Sequence, residues 1–315
     1  MIDVACIIIN FNNAQYTIDA VNSIREYQTD TRSYEIVVVD NASKEEDFAL
    51  LNKGILDLEN VKLVDSKINL GFGAGNMLGV QYAAPAKYYA FINNDTLQTT
   101  SNFLSRLIAF MGANPQVAVC SPQMLDQDEN FQVTIDHFSS LAREILRRPL
   151  LESLFPKVYL NRKVRYNKPT KVHYVQGSFM FIRAADFHLI GGFDTNLFLY
   201  YEESDVCRTF LKKYQKHTYL VPEVSYIHFT SATIERNVQI KIEQKISLFY
   251  YIEKHYGWWA RKVLNGYYIF RYFFTSLFKP RYWPFFVMLL KGMPLSSSLK
   301  QKQVLISRSS NGLHQ

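Results

Sequence analysis

Glu35-Ile36-Val37-Val38-Val39-Asp40-Asn41-Ala42-Ser43 is a β-branched run that stops on an acid, an amide and a hydroxyl. Successive apolar positions with no polar alternation mark a strand covered on both faces, as in a parallel sheet flanked by helices. Asp, Asn and Ser then suit the turn and helix cap that must follow. The same pattern recurs outward from this stretch. Residues 4–9 are apolar and end in Asn10-Phe11-Asn12-Asn13, and Tyr88-Tyr89-Ala90-Phe91-Ile92 ends in Asn93-Asn94-Asp95-Thr96. Val61-Lys62-Leu63-Val64 leads into Asn69-Leu70-Gly71-Phe72-Gly73-Ala74-Gly75-Asn76. Helical spacing fills residues 14–27, 44–56 and 76–84, and a further helix is expected over 101–111. Four strand-helix units in succession predict an α/β fold with a mostly parallel central sheet and helices on both faces.

Composition agrees. The 315 residues are 48% apolar, 20% charged and 15% aromatic, which excludes disordered, collagen-like and low-complexity classes. Cys6, Cys120 and Cys207 are odd in number and scattered, so neither a disulfide framework nor a metal knuckle is expected, and a reducing compartment is. Nothing after Met1 reads as a secretory leader, which makes the cytoplasm the expected location. The net charge of +7 is unevenly placed: residues 1–230 carry 22 Lys+Arg against 25 Asp+Glu, whereas 231–315 carry 13 against 3. We therefore divide the chain into residues 1–230, with a nucleotide-binding half (1–115) and an acceptor half (116–230), and a helical, basic, aromatic region at 231–315. Residues 126–171, with breakers Pro149, Pro156 and Pro169, read as a substrate-side insertion.

Polar residues immediately after strands of such a sheet lie where ligands bind. One Asn or Asp there is ordinarily a turn former; four such clusters on one edge indicate a nucleotide site, and the glycine-rich turn would let backbone N–H groups approach an anion. A dinucleotide-binding fold fits poorly, because the glycines do not follow the first strand and are spaced G-x-G-x-G. The paired amides before Asp95 suggest hard oxygen ligands for a divalent ion. Beyond Gly191-Gly192-Phe193-Asp194, the run Phe198-Leu199-Tyr200-Tyr201-Glu202-Glu203-Ser204-Asp205 places three acids at the start of a helix and beside aromatics. Such a setting raises carboxyl pKa values and suits a general base. His228, followed by Thr230 and Ser231, is either a structural histidine or a partner of a metal-bound carboxylate.

These motifs, in this order over residues 3–231, resemble the family 2 inverting glycosyltransferases of the GT-A fold, within them the rhamnosyltransferase-like branch. The resemblance implies a dTDP- or UDP-sugar donor, rhamnose among the candidate sugars, and a saccharide or lipid-linked saccharide acceptor in surface polysaccharide synthesis. It implies donor binding by Asn10, Asn12, Asp40, Asn41, Asn69, Gly73, Asn76, Asn93, Asn94, Asp95 and Gly177, with Asp40 accepting from the base N3–H. Asp95, last residue of the D-x-D equivalent, and His228 would hold Mg²⁺ or Mn²⁺. Glu203 would be the base, with Glu202 and Asp205 as alternatives. Asn93 and Glu203 both stand where relatives commonly have Asp.

No apolar run reaches the ~20 residues that cross a bilayer. Aromatic residues interleaved with Lys and Arg over 240–291 suit peripheral contact with an anionic membrane, on the inner face of the cell membrane. Nucleic acid is not expected, and an oligomer is left open. The rival readings are an NAD-dependent dehydrogenase and a non-catalytic, membrane-associated sugar-nucleotide binder.

Overall fold

The computed structural model describes residues 1–229 and 238–306. Thr230, Ser231 and the 230/231 boundary lie outside the described residues. The first half runs β1 (Ile2–Asn10), α1 (Ala14–Tyr27), β2 (Tyr34–Asn41), α2 (Glu45–Ile55), β3 (Val61–Ser66), α3 (Gly71–Tyr82), β4 (Ala86–Asn93), β5 (Thr96–Gln98) and α4 (Phe103–Ala113). The second runs β6 (Val117–Leu125), β7 (Ile135–Asp136), α5 (Leu141–Leu146), α6 (Arg148–Leu154), β8 (Thr170–Val172), β9 (Tyr174–Val175), β10 (Phe179–Arg183), α7 (Ala184–Leu189), α8 (Glu202–Tyr214) and β11 (His217–His228). Helices α9 (Val238–Tyr256), α10 (Trp258–Phe278) and α11 (Trp283–Leu290) follow.

The central sheet has the order β3-β2-β1-β4-β10-β6-β11-β5, with β8 also on β11. Strands β3, β2, β1 and β4 are mutually parallel, as are β6 and β11, and β10 is antiparallel to both neighbours. Period-two alternation feeds two core layers. From β1, Val4, Cys6 and Ile8 pack with Val21 and Ile24 of α1, Leu51 of α2 and Leu107 of α4. Ala5 and Ile7 face Phe187 of α7 and Val206 and Phe210 of α8 on the other side. All three cysteines are buried and free.

The four strand-helix units stand where the pattern put them. One boundary differs: α3 begins at Gly71, inside the stretch read as a glycine turn. Asn69 Oδ1 accepts from the Gly71 N–H at 2.9 Å and Asn41 Oδ1 from the Leu70 N–H at 2.8 Å, so two amides fix the helix entrance. Gly71 has φ +75°, and a Cβ there would sit 2.2 Å from the Phe198 carbonyl oxygen. The later glycines serve packing: a Cβ on Gly79 would lie 2.4 Å from Ile7 Cγ2, so α3 rests directly on the sheet. Helix α8 starts at Glu202, so the three acids fall in its first turn as expected. Residues 126–171 are not wholly irregular, since they contain β7, α5 and α6.

A third core joins Phe249 and Ile252 of α9 to Leu264 and Tyr268 of α10 and Phe285 and Leu289 of α11. Helix α9 is also tied to the sheet region. Lys254 Nζ lies 2.7 Å from Asp194 and 2.8 Å from Asp205, and His255 Nε2 lies 2.7 Å from Asp205. Ser247 donates to the Leu199 carbonyl. Much of the 240–256 part of the stretch expected to meet a membrane is therefore occupied by internal contacts. No described helix is long and apolar enough to cross a membrane.

Two glycine substitutions separate packing from propensity. Gly79→Ala forces Ile7 or the helix to move and should cost roughly 1–3 kcal/mol. Gly112→Ala, in α4 with nothing within 4 Å of the new Cβ, should stabilise by about 0.5–1 kcal/mol. Urea midpoints of the two variants, moving in opposite directions from the parent, check both.

Candidate active site

A cleft of ≈ 440 Å³ opens where β4, β10 and β11 meet the start of α8. Asn93, Gly177, Ser178 and His228 line it from the sheet region; Phe72 at the start of α3 and Tyr200, Tyr201, Glu202 and Glu203 close it from the opposite direction. The insertion contributes Asp136, Arg143 and Arg148, and α9 contributes Gln244.

The two glutamates occupy different environments although adjacent. They follow Tyr200 (φ 73°) and Tyr201 (φ 75°), consecutive non-glycine residues in the left-handed region, a conformation that costs of order 1–3 kcal/mol each and persists only when surrounding structure imposes it. Glu202 is 1% exposed, with Oε1 buried and without a hydrogen-bond partner. Burial, then the charge of Glu203, hold its carboxyl well above the ordinary range. Glu203 is partly exposed to the cleft, and burial, with a contribution from the Asp136 carboxylate, pushes its pKa up to about 7. A Cβ on Gly177 would lie 3.9 Å from Glu203 Oε2 and 3.4 Å from Phe72 Cζ, so the missing side chain leaves room beside the carboxylate. Asp205, the third acid, is absent from the cleft lining: its oxygens meet Lys254 and His255, and it works as an anchor for α9.

Asp95 is 4% exposed and its Oδ1 lies 3.1 Å from His228 Nε2. The His228 Nδ1 is 3.2 Å from Met124 Sδ, and the Phe229 N–H donates to the Asp95 carbonyl, so the end of β11 is laid across Asp95. One carboxylate and one imidazole fit a divalent ion as a partial donor set. Among the described residues no three His, Cys, Asp or Glu side chains are grouped for a metal, so the remaining ligands of a six-coordinate ion would come from a bound diphosphate and water.

The other amides of the sheet edge are mostly turned onto one another. Asn10 Nδ2 is within 2.8 Å of Asp40 Oδ1, 3.0 Å of Ser43 Oγ and 2.9 Å of Asp47 Oδ2, and its Oδ1 accepts from Thr17. Asn94 Nδ2 donates to the same Thr17 hydroxyl, which links this network to the residue beside Asp95. Asp40 also accepts from the Ser43 N–H and is 0% exposed. A nucleobase that reached Asp40 would share its oxygens with that network. Asn12 accepts from the Lys44 N–H, Asn41 donates to Asn69 and to the Gly71 carbonyl, and Asn76 donates to the Phe72 carbonyl. Two N–H groups at the start of α3 are occupied as well, Gly71 by Asn69 and Phe72 by the Phe198 carbonyl. A Cβ on Gly73 would be 3.5 Å from Glu202 Cγ, so this glycine serves the approach of α3 to α8.

The sequence reading missed Asp136, Arg143 and Arg148. Arg148 Nε donates to Asp136 Oδ1 at 2.8 Å, and buried Arg143 reaches Glu144 at 2.7 Å. The cluster of arginines was visible, but their acidic partner lies on β7, which is placed only by its pairing with β9.

Comparison with known proteins gives the family and the fold. Residues 5–189 match the sequence model of the family described as Glycosyl transferase family 2. The N-acetylglucosaminyl-diphospho-decaprenol L-rhamnosyltransferases of two Mycobacterium tuberculosis strains, CDC 1551 / Oshkosh and H37Rv, are each 21% identical over 243 residues, covering 72% of this chain and 78% of theirs. Among solved structures, GalNAc-T7 with UDP, GalNAc and Mn²⁺ superposes with a TM-score of 0.59 at 15% identity, over 79% of this chain. The mannosyltransferase PcManGT from Pyrobaculum calidifontis with GDP-Man and Mn²⁺ gives 0.54 at 15% identity, over 81% of this chain. The match spans 48% of the first and 66% of the second, so these two show the shared GT-A fold. The dehydrogenase and the non-catalytic binder are thereby set aside. With its family match covering well over half of its length, the chain belongs to glycosyl transferase family 2.

Proposed function

We propose that this transferase moves a sugar, L-rhamnose by likeness to the mycobacterial relatives, from a dTDP- or UDP-sugar to a hydroxyl of a lipid-linked saccharide, with inversion, at the inner face of a membrane. The observation that carries the reading is Glu203: a carboxylate with a pKa of about 7, partly exposed on a cleft whose far wall bears His228 beside Asp95. A general base works best when its pKa lies near the working pH.

Glu203 takes the proton of the acceptor hydroxyl as that oxygen bonds to the anomeric carbon and the carbon-oxygen bond to the nucleoside diphosphate breaks. One displacement inverts the centre, and no covalent enzyme intermediate is required. Glu202, whose carboxyl is held well above the ordinary range, adds less negative charge beside Glu203 than an ionised neighbour would, which favours the ionised form that Glu203 needs in order to act as a base. Gly177 leaves space for the acceptor. Asn10, Asp40 and Asn41 brace the loops on which the nucleotide rests, and Asn93 faces the diphosphate. A divalent ion held by Asp95 and His228 would neutralise charge on the departing diphosphate.

Glu203→Gln should lower turnover by about 10²–10⁴-fold while donor binding persists, measured by product formation alongside donor titration. Near-normal turnover would remove Glu203 from the mechanism.

The pH dependence has a definite sign. Turnover should rise as pH climbs through about 7, because the base must be ionised. The titratable and charged groups that line the cleft with Glu203 are Glu202, Asp136, Tyr174, Tyr200, Tyr201, Arg143, Arg148 and His228. Glu203→Gln should remove that limb. The folded state binds this proton more tightly than the unfolded chain, so ionising Glu203 costs stability as pH rises from the ordinary carboxylate range towards about 7. Above that pH the Gln variant should melt no lower than the parent.

Asp95→Ala should abolish metal-stimulated turnover and the rise in melting temperature that Mn²⁺ produces with a nucleoside diphosphate. Retention of both effects would place the ion elsewhere.

A further inference from the structure

Helices α10 and α11 carry apolar surface that no part of the described chain covers. Phe270, Phe274 and Phe278 recur at four-residue spacing on one face of α10, and Phe270 and Phe278 are 68% and 84% exposed. Trp283, Val287 and Leu290 are exposed along α11. The two faces are continuous. Phe270 and Phe274 have ring centroids 5.2 Å apart, Phe274 and Phe273 5.4 Å, Phe273 and Phe286 5.9 Å, and Phe286 and Trp283 5.5 Å. A contiguous apolar patch exposed on a folded surface marks a docking site.

Charge identifies the occupant. Arg271, Lys279, Arg281 and Lys291 are all exposed on the same two helices and the turn between them, and no Asp or Glu follows Glu253 in the sequence. A second copy of this chain would bring its own cations against these. An anionic lipid surface complements them, because phenyl and indole rings enter the headgroup boundary while guanidinium and ammonium groups stay at phosphate level.

We infer that the joined face of α10 and α11, from Phe270 to Lys291, binds an anionic phospholipid membrane as a peripheral anchor. This narrows the contact within 240–291 to residues 270–291 and leaves α9 out. The anchor is tied to the active-site wall: the Tyr268 hydroxyl of α10 donates to Glu144 Oε2, and Glu144 pairs with Arg143 on the cleft. The inference deepens the proposed function, resting on it only for the idea that the acceptor is lipid-linked.

The test is co-sedimentation of the full chain with phosphatidylcholine vesicles, with and without phosphatidylglycerol, in the absence of donor and acceptor. Binding should be about tenfold or more stronger with phosphatidylglycerol and should fall with added salt. Phe274→Glu/Phe278→Glu, at exposed positions, should lose about tenfold or more in binding while keeping the parent melting temperature, and Lys279→Glu/Arg281→Glu should lose the preference for the anionic lipid. No vesicle binding by the parent, or binding untouched by either pair, overturns the anchor. So does concentration-dependent dimerisation by sedimentation velocity that Phe274→Glu abolishes without any vesicle binding. Transfer to a short-chain, water-soluble acceptor reads the enzyme separately: its loss with vesicle binding intact would sink the proposed function and not the anchor.

Discussion

Two adjacent carboxyl groups cannot both be ionised against a wall of Phe72, Tyr174 and Tyr201, and much of the molecule is arranged around that constraint. The N-terminus of α8 favours negative charge, whereas burial opposes it. The outcome is unequal: the carboxyl of Glu202, sealed against α3, is pushed well above the ordinary range, and that of Glu203, open to the cleft, is pushed up to about 7. Producing that asymmetry requires α8 to enter at a fixed angle, and the left-handed pair Tyr200 and Tyr201 sets it. Their strain is held by the rest of the fold: the Tyr201 ring packs at a tilt against Tyr251 of α9, centroids 5.5 Å apart, and the Leu199 carbonyl accepts from Ser247.

Helix α9 is thus structural support for the proposed base. Lys254 and His255 on that helix hold Asp205, three residues after Glu202 on the same turn of α8. An acid that could have competed as a base is neutralised, and its contacts tie the third core to the two layers of the sheet.

What could be read from the sequence follows from how local each feature is. The β-branched runs ending at Asn10, Asn41 and Asn93 identify the buried parallel strands because covering both faces leaves a mark on every residue. Of the glycine stretch read as a turn, Gly71 does bend, at φ +75°, but Gly73 and Gly75 lie inside α3, because glycines that let a helix approach its neighbours look, in one dimension, like glycines that permit a bend. The wall formed by Asp136, Arg143 and Arg148 was not legible, since β7 and β9 are far apart in the chain and their pairing depends on the finished fold. Asp205 looked like one more acid in a reactive cluster. Its partners, Lys254 and His255, come about 50 residues later.

The same reasoning explains why the basic aromatic tail divides in two. An amphipathic helix buries the stripe for which a partner exists and exposes whatever remains. For α9 the partner is the sheet region, whose acids Asp194 and Asp205 match its Lys254; α10 and α11 follow beyond those acids and find most of their apolar neighbours in each other and in α9, with Leu141 of α5 at the edge. Their outer residues are left uncovered and positively charged at the rim. Aromatic content alone does not separate these cases, because α9 carries Phe249, Tyr250 and Tyr251 as densely as α10 carries Phe273 and Phe274. The difference lies in where counter-charges and complementary surface become available, a property of the assembled domain.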